Sequence, residues 1–284
     1  MVTPPPPSTD WTTRYLALLD QPHAPPSVAA LTALVRAHVL TIAFENVTAL
    51  MRRQAHGLAP VPAPEPEQLL QMWEQHAGGG ACFEIAMMFA RLLNALGYQA
   101  HMVLGQISLP YGHQAALVEL DGARYLVDLG NGAPIFEPLL LSDVPVEVHR
   151  HGLSFRFRYD AGANEALQDR MIDGEWNTHC RYTLQPAIDA HREQGYQHHH
   201  TPNASWVTGT LTIVRSTEQE AYSLRDQVLT RHTAWGKTAE TITDPARFKS
   251  LAADTFAMPS LPIEGALEVR ARFAALDASS SAVR

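Results

Sequence analysis

The 284-residue chain is poor in cysteine, short of basic residues and without long apolar runs, and each shortage removes a class of protein. Two cysteines, Cys82 and Cys180, are too few for a disulfide framework, which points to a reducing compartment. Lys and Arg number 21 against 29 Asp and Glu, giving a net charge of −8. No basic run occurs, so the chain lacks the clustered cations that nucleic-acid phosphates require. A small anionic cosubstrate is still allowed, because a few local donors hold a phosphate whatever the global charge. Apolar runs stay short of a bilayer span. The start has four consecutive prolines from Pro4 and no basic residue before an apolar stretch, unlike a secretory signal. The expectation is a soluble, cytoplasmic protein with no nucleic-acid or membrane partner. Its 46% hydrophobic and 18% charged residues give the balance of a globular enzyme with a sizeable core.

Helices are expected over 11–19 and 27–40, the second opening on Ser27 as N-cap, with Leu31, Leu34, Val35 and Val39 at helical spacing. Four prolines and a glycine in 56–66 predict an exposed connection, after which a helix resumes at Glu67. Over 84–96 the residues Ile85, Met88, Phe89, Leu92, Leu93 and Leu96 follow a 3.6-residue period, and Gly97 supplies the stop. The pattern then changes to strands at 100–107, 114–120 and 123–129, with Asp121-Gly122 as the turn between the last two. Further strands are expected at 155–159, 181–184, 206–214 and 221–225, and a short helix at 245–255. The last ten or so residues, Ser279 and Ser281 included, are small and polar and are expected to fray.

Chemistry concentrates around Cys82. It stands at the entrance of an amphipathic helix, where free N–H groups and the positive end of the helix dipole favour a thiolate. Gly78, Gly79 and Gly80 just before it let the backbone turn, clear room for a substrate and offer N–H groups to an oxyanion. The hairpin supplies a base. A two-residue turn sets Leu120 opposite Ala123, Glu119 opposite Arg124 and Ala115 opposite Asp128. His113 and Asp128 then share a face as diagonal neighbours, roughly 7–8 Å apart at the backbone, with only small Ala115 between. Asp128 lies between Val127 and Leu129, where a carboxylate without a partner is costly to bury. Orienting and charging the His113 ring would supply that partner.

These residues resemble the arylamine N-acetyltransferase family, whose motif around the nucleophile is Arg-Gly-Gly-x-Cys-x-Glu and whose histidine and aspartate sit in a following hairpin. Here the segment reads Gly78-Gly79-Gly80-Ala81-Cys82-Phe83-Glu84. Upstream, Ala43-Phe44-Glu45-Asn46-Val47 is similar to Pro-Phe-Glu-Asn-Leu, preceded by a helix containing Arg36-Ala37-His38. Downstream, His113 and the run from Tyr125 to Gly132 complete the likeness, which covers roughly residues 10–255.

The resemblance implies an α+β fold with a papain-like cysteine core. Its parts would be an N-terminal helical bundle over 1–84 ending at the nucleophile, a β-barrel over 85–190 carrying His113 and Asp128, and a C-terminal α/β lid over 191–284. It implies ping-pong transfer in which Cys82 takes an acetyl group from acetyl-CoA and passes it to an amine, with His113 as base and Asp128 as its holder. Phe44 would wall the acceptor pocket, and the Phe83 N–H would serve the oxyanion. Thr208 and Gly209, in a Thr-Gly-Thr stretch, would meet the cosubstrate's phosphates. No permanently bound cofactor is implied.

One departure stands out: the motif's arginine is Gly78, so Glu84 or Glu45 needs another cation. A biosynthetic amide synthase using another acyl-CoA, or a thioester on an acyl carrier protein, is therefore the alternative, and a cysteine hydrolase a more distant one. His198, His199 and His200 are adjacent and cannot readily converge on one ion, so no metal is expected. In the resemblance they fall near a loop that closes over the acceptor. Cys180 reads as an ordinary core or surface thiol.

Overall fold

The computed structural model describes residues 9–281, and the side chains of 11–275; the four-proline start lies outside them. Helices α1 (Thr9–Leu18), α2 (Val28–Thr41), α3 (Val47–His56), α4 (Pro66–Glu74) and α5 (Cys82–Ala95) form the first layer. Ser27 caps α2 as expected, its side chain accepting the Ala30 N–H at 3.1 Å. The apolar faces of α1, α2, α4 and α5 close a core around Tyr15, Leu31, Trp73 and Phe89. His38 is inside it, 1% exposed, with its ring edge-on to Trp73 and Phe89. Helix α3 is unanticipated in the sequence reading. Its buried Val47 and Leu50 join a second core beside the C-terminal sheet.

Strands β2 (Gln99–Gln106), β3 (His113–Leu120), β4 (Ala123–Val127), β5 (Leu139–Leu140), β6 (Val146–Arg150), β7 (Leu153–Asp160), β8 (Glu165–Ile172) and β9 (Glu175–Thr183) make one antiparallel sheet. The order β5-β4-β3-β2-β9-β8-β7-β6 curls into a nearly closed barrel. Asp121-Gly122 forms the turn, with Leu120 opposite Ala123 and Glu119 opposite Arg124, as its two-residue length dictates. A second sheet, ordered β1-β10-β11-β12-β13, joins β1 (Phe44–Glu45) to β10 (Thr212–Ser216), β11 (Glu220–Arg225), β12 (Val228–Thr233) and β13 (Gly236–Thr241). Through β1 the stretch Phe44-Glu45, next to α3, is hydrogen-bonded into the C-terminal unit.

Three segments differ from expectation. The histidine run, expected near a closing loop, ends helix α6 (Asp189–His200). Residues 206–214, expected as one strand, begin as helix α7 (Trp206–Gly209), because Ser205 caps it by accepting the Val207 N–H at 3.2 Å. Of the stretch expected to fray, the residues up to Ser281 continue helix α9 (Ile263–Ser281) and 282–284 lie outside the described residues; Ile263, Ala266 and Val269 of this helix are buried against α3 and the sheet. Between α7 and α9, α8 (Pro245–Ser250) runs into a π-helical turn (Leu251–Thr255) over the stretch expected to be helical.

Candidate active site

Cys82 is the first residue of α5 and is 2% exposed. The glycines before it are required by crowding. A Cβ on Gly79 would fall 1.8 Å from the carbonyl oxygen of Ala43, and Gly80 has a φ of +144°. Gly79 N–H donates to Glu45 at 3.1 Å, and the Trp73 indole donates to the Gly79 carbonyl, so the turn is fixed from both sides. Gly130 presses on Cys82 itself: a Cβ there would lie 2.5 Å from the Cys82 Cα.

A Cβ at Gly78 would meet the Thr48 methyl at 2.7 Å and the Met72 sulfur at 2.9 Å, so a side chain there requires both to shift. The cation comes instead from α3. Arg52 pairs with Glu84, which is 2% exposed and also accepts the Ala81 N–H at 3.2 Å, bracing the start of α5. Burial disfavours the Arg52 charge, yet Glu84, then Tyr196 and Glu45, outweigh it and its pKa is raised. Glu45 is wholly buried, which raises its pKa, while Thr48 and the Gly79 N–H pull it back.

His113 opens β3, and its Nε2 is 2.9 Å from Asp128 Oδ2. The paired register runs to Ala116 opposite Val127, and Asp128 is the next residue on. The carboxylate also accepts the Gly130 N–H at 3.0 Å, the Asn131 amide at 2.8 Å and the Tyr182 hydroxyl at 2.5 Å. Burial alone would raise its pKa; His113 and these donors reverse that and lower it. Burial likewise opposes a charge on His113, but Asp128 and then Cys82 raise its pKa well above the ordinary imidazole value. Cys82 is thus close enough to this ring to act on its charge. With Nε2 turned to Asp128, Nδ1 is left for the sulfur. Cys180 is different: burial pushes its thiol up to about 11 and keeps it protonated.

The three residues singled out as catalytic thus come together, and the Phe83 N–H lies in the first turn of α5, where intrahelical acceptors are lacking. Phe44 is buried, its ring centroid 5.8 Å from that of Trp206. Thr208 and Gly209 depart from expectation, because the helix that replaces the strand turns their donors inward. The Thr208 hydroxyl donates to the Thr201 carbonyl at 2.8 Å, and both N–H groups donate to Ser205. Among the described residues no group of His, Cys, Asp and Glu could hold a metal ion, and no helix is long and apolar enough to cross a membrane.

Several neighbours escape sequence reasoning. Asn131, three residues past Asp128, was visible as a local turn residue. Tyr182 lies 54 residues away and reaches Asp128 only through sheet closure. Helix α6 covers the site. Tyr196 packs with Cys82, Phe83 and Val61, and His199 donates through Nε2 to the Gly112 carbonyl at 2.7 Å while Nδ1 accepts from Ser205 at 2.9 Å. That carbonyl belongs to the residue before His113. Burial lowers the His199 pKa to about 4, so the ring stays neutral.

A helix-borne cysteine beside a His–Asp pair at one end of a hairpin, in a bundle closed by a barrel, defines a papain-like cysteine fold. A family model described as N-acetyltransferase matches residues 27–259. An arylamine N-acetyltransferase of Mycolicibacterium smegmatis is 29% identical over 221 residues, 73% of this chain and 76% of that one. Proansamycin X synthase of Amycolatopsis mediterranei is 34% identical over 116 residues, 38% of this chain and 44% of that one. The structure of Mycobacterium marinum arylamine N-acetyltransferase in complex with CoA superposes with a TM-score of 0.77 at 23% identity, covering 91% of this chain and 97% of that one. The chain belongs to the arylamine N-acetyltransferase family. It is an acetyltransferase.

Proposed function

We propose that the protein is a cysteine-dependent N-acyltransferase working by ping-pong transfer of an acetyl group from acetyl-CoA to an arylamine-type amine. The observation that carries this reading is the buried Cys82–His113–Asp128 set, with the His113 proton stabilised by Asp128. With that proton held on His113, the Cys82 sulfur attacks the thioester carbonyl and the Phe83 N–H receives the oxyanion. The C–S bond to CoA breaks, and the His113 proton leaves with the thiol. An amine then attacks the acetyl-cysteine, His113 takes the amine's proton, and the amide departs as the C–Sγ bond breaks. Asp128 holds the ring throughout. The cover over Cys82 supports aminolysis over hydrolysis, because water entering the site would discharge the acyl-enzyme. CoA as donor product is supported by the relative that binds it.

Two-substrate kinetics test the mechanism. Parallel double-reciprocal lines for acetyl-CoA against an arylamine are expected, with CoA released before the amine is added; intersecting lines would exclude ping-pong. Gly78 and the proansamycin X synthase match favour one second reading, amide formation from a different acyl thioester. Faster acylation by longer acyl-CoAs than by acetyl-CoA would select it.

A further inference from the structure

Helix α6 presents one stripe of residues to both halves of the site. His191, Gly195 and His199 recur every four residues and so share a face of the helix. Each meets the segment that leads into His113. The His191 ring stacks on Tyr111 with centroids 4.1 Å apart and planes 8° from parallel. A Cβ on Gly195 would lie 2.1 Å from the Tyr111 carbonyl oxygen, so helix and segment are in direct backbone contact. His199 donates through Nε2 to the Gly112 carbonyl at 2.7 Å. The same stripe touches the residue after Cys82. The Phe83 ring is edge-on to His199 at 5.6 Å and 70°, and its Cζ would be 2.9 Å from a Cβ on Gly195.

We propose that His199 is a positioning residue, which sets the separation of Cys82 and His113 by holding the Gly112 carbonyl on one side and the Phe83 ring on the other. The inference rests on the reading of Cys82 and His113 as the reacting pair and adds what keeps the two in place.

The segment before His113 needs holding. Tyr111 has a φ of +62°, a left-handed backbone that a tyrosine keeps only where its surroundings impose it. The Gly112 N–H closes a local turn on the Leu109 carbonyl at 3.2 Å, while the Gly112 carbonyl is turned to α6. His199 is itself fixed. It is 6% exposed, and its Nδ1 accepts from the Ser205 hydroxyl at 2.9 Å, the oxygen that also caps α7. With both ring nitrogens engaged the imidazole cannot flip, and burial keeps it neutral, so that one nitrogen donates and the other accepts. Reacting groups are sensitive to such support, since a misplacement of about 1 Å costs roughly a hundredfold in rate.

Alkylation of Cys82 by iodoacetamide at fixed pH, followed by peptide mass spectrometry, reads the reactivity of the sulfur without any thioester. His199→Leu fills the space with no donor, whereas His199→Gln supplies an N–H that can reach the Gly112 carbonyl. His199→Leu is expected to slow alkylation about tenfold, the scale of one buried hydrogen bond, and His199→Gln to regain most of that loss. In acyl transfer the same loss should fall on kcat, with KM for the thioester little changed. A side chain that only filled space would be replaced better by Leu than by Gln. Equal rates in the two variants, a faster rate in His199→Leu, or a loss confined to KM overturns the proposal. His191→Ala, a half-buried substitution, removes the Tyr111 stack from the same stripe and is expected to slow alkylation about threefold. No change there overturns the hold of α6 on the segment. His113→Ala separates the inference from the reading beneath it. If that variant labels as fast as the wild type, the Cys82–His113 pair is refuted and the inference with it; if it is slow while His199→Leu is not, the positioning alone is refuted.

Discussion

Asp128 is gripped by four donors, and the one on which most depends is the least obvious. The Tyr182 hydroxyl at 2.5 Å is a charge-assisted bond inside the protein, a kind that contributes about 1.5–3 kcal/mol. Tyr182→Phe keeps the ring and removes that bond. Its expected effect is a tenfold to hundredfold fall in the rate of Cys82 acylation, with an altered pH profile as the carboxylate that holds the His113 proton loses a donor. An unaltered pH profile in stopped-flow thioester cleavage would contradict this. The His113–Asp128 pair was legible because Asp121-Gly122 fixes every partner along that hairpin. Tyr182 was not, because β9 joins β2 through non-local pairing and a bulge at Gln168/Asp169 interrupts its alternation against β8.

Helices α3, α5 and α6 act on the site as units. Arg52 replaces from α3 what position 78 cannot provide, and the load it carries is the buried charge of Glu84 at the start of α5. Arg52→Gln strands that charge, at a cost of about 3 kcal/mol. A fall in Tm of several degrees is expected by calorimetry, with part of it recovered in Arg52→Gln combined with Glu84→Gln. No recovery in the double variant would refute the pairing as the cause. Helix α6 touches the loop before His113 with one face. His191 stacks on Tyr111 at 4.1 Å, and a Cβ on Gly195 would lie 2.1 Å from the Tyr111 carbonyl oxygen. That face could not be read in the sequence, since its polar, histidine-rich residues show no apolar period. The short α7 was hidden for the opposite reason, its Trp206, Val207 and Thr208 being strand formers overruled by the Ser205 cap. Helices α2 and α5, long and strongly periodic, were plain.

The whole molecule carries neutral histidines that are buried or half-buried, and they set its response to acid. Burial lowers the pKa of His38 to about 3, of His179 to about 3 and of His199 to about 4. The unfolded chain protonates the same groups at about 6.5. Below that pH the unfolded state binds protons that the folded state refuses, so stability falls as pH drops from about 6.5 towards 4. His113 has the opposite sign: its raised pKa contributes stability fully below about 6.5, and this is lost as pH rises through the folded value. Asp128, with its pKa lowered, contributes above about 3.9 and loses that as pH falls through its folded value. Tm measured between pH 4 and 8 should therefore climb to near pH 6.5, with a shallower climb in His199→Gln. A flat profile would refute the account of these histidines.

At this scale the α+β plan and the place of Cys82 at the start of α5 could be anticipated from local motifs. The sharing of Phe44-Glu45 with the C-terminal sheet and the packing of α9 on α3 could not, because both depend on contacts between the two ends of the chain. All of this converges on one sulfur. Intact-protein mass spectrometry after brief mixing with acetyl-CoA, before any amine is added, tests that directly. A gain of one acetyl group on the wild type, mapped to Cys82 and absent in Cys82→Ser, is predicted. An acetyl group found elsewhere, or none on a protein that still acetylates an amine, would contradict the account.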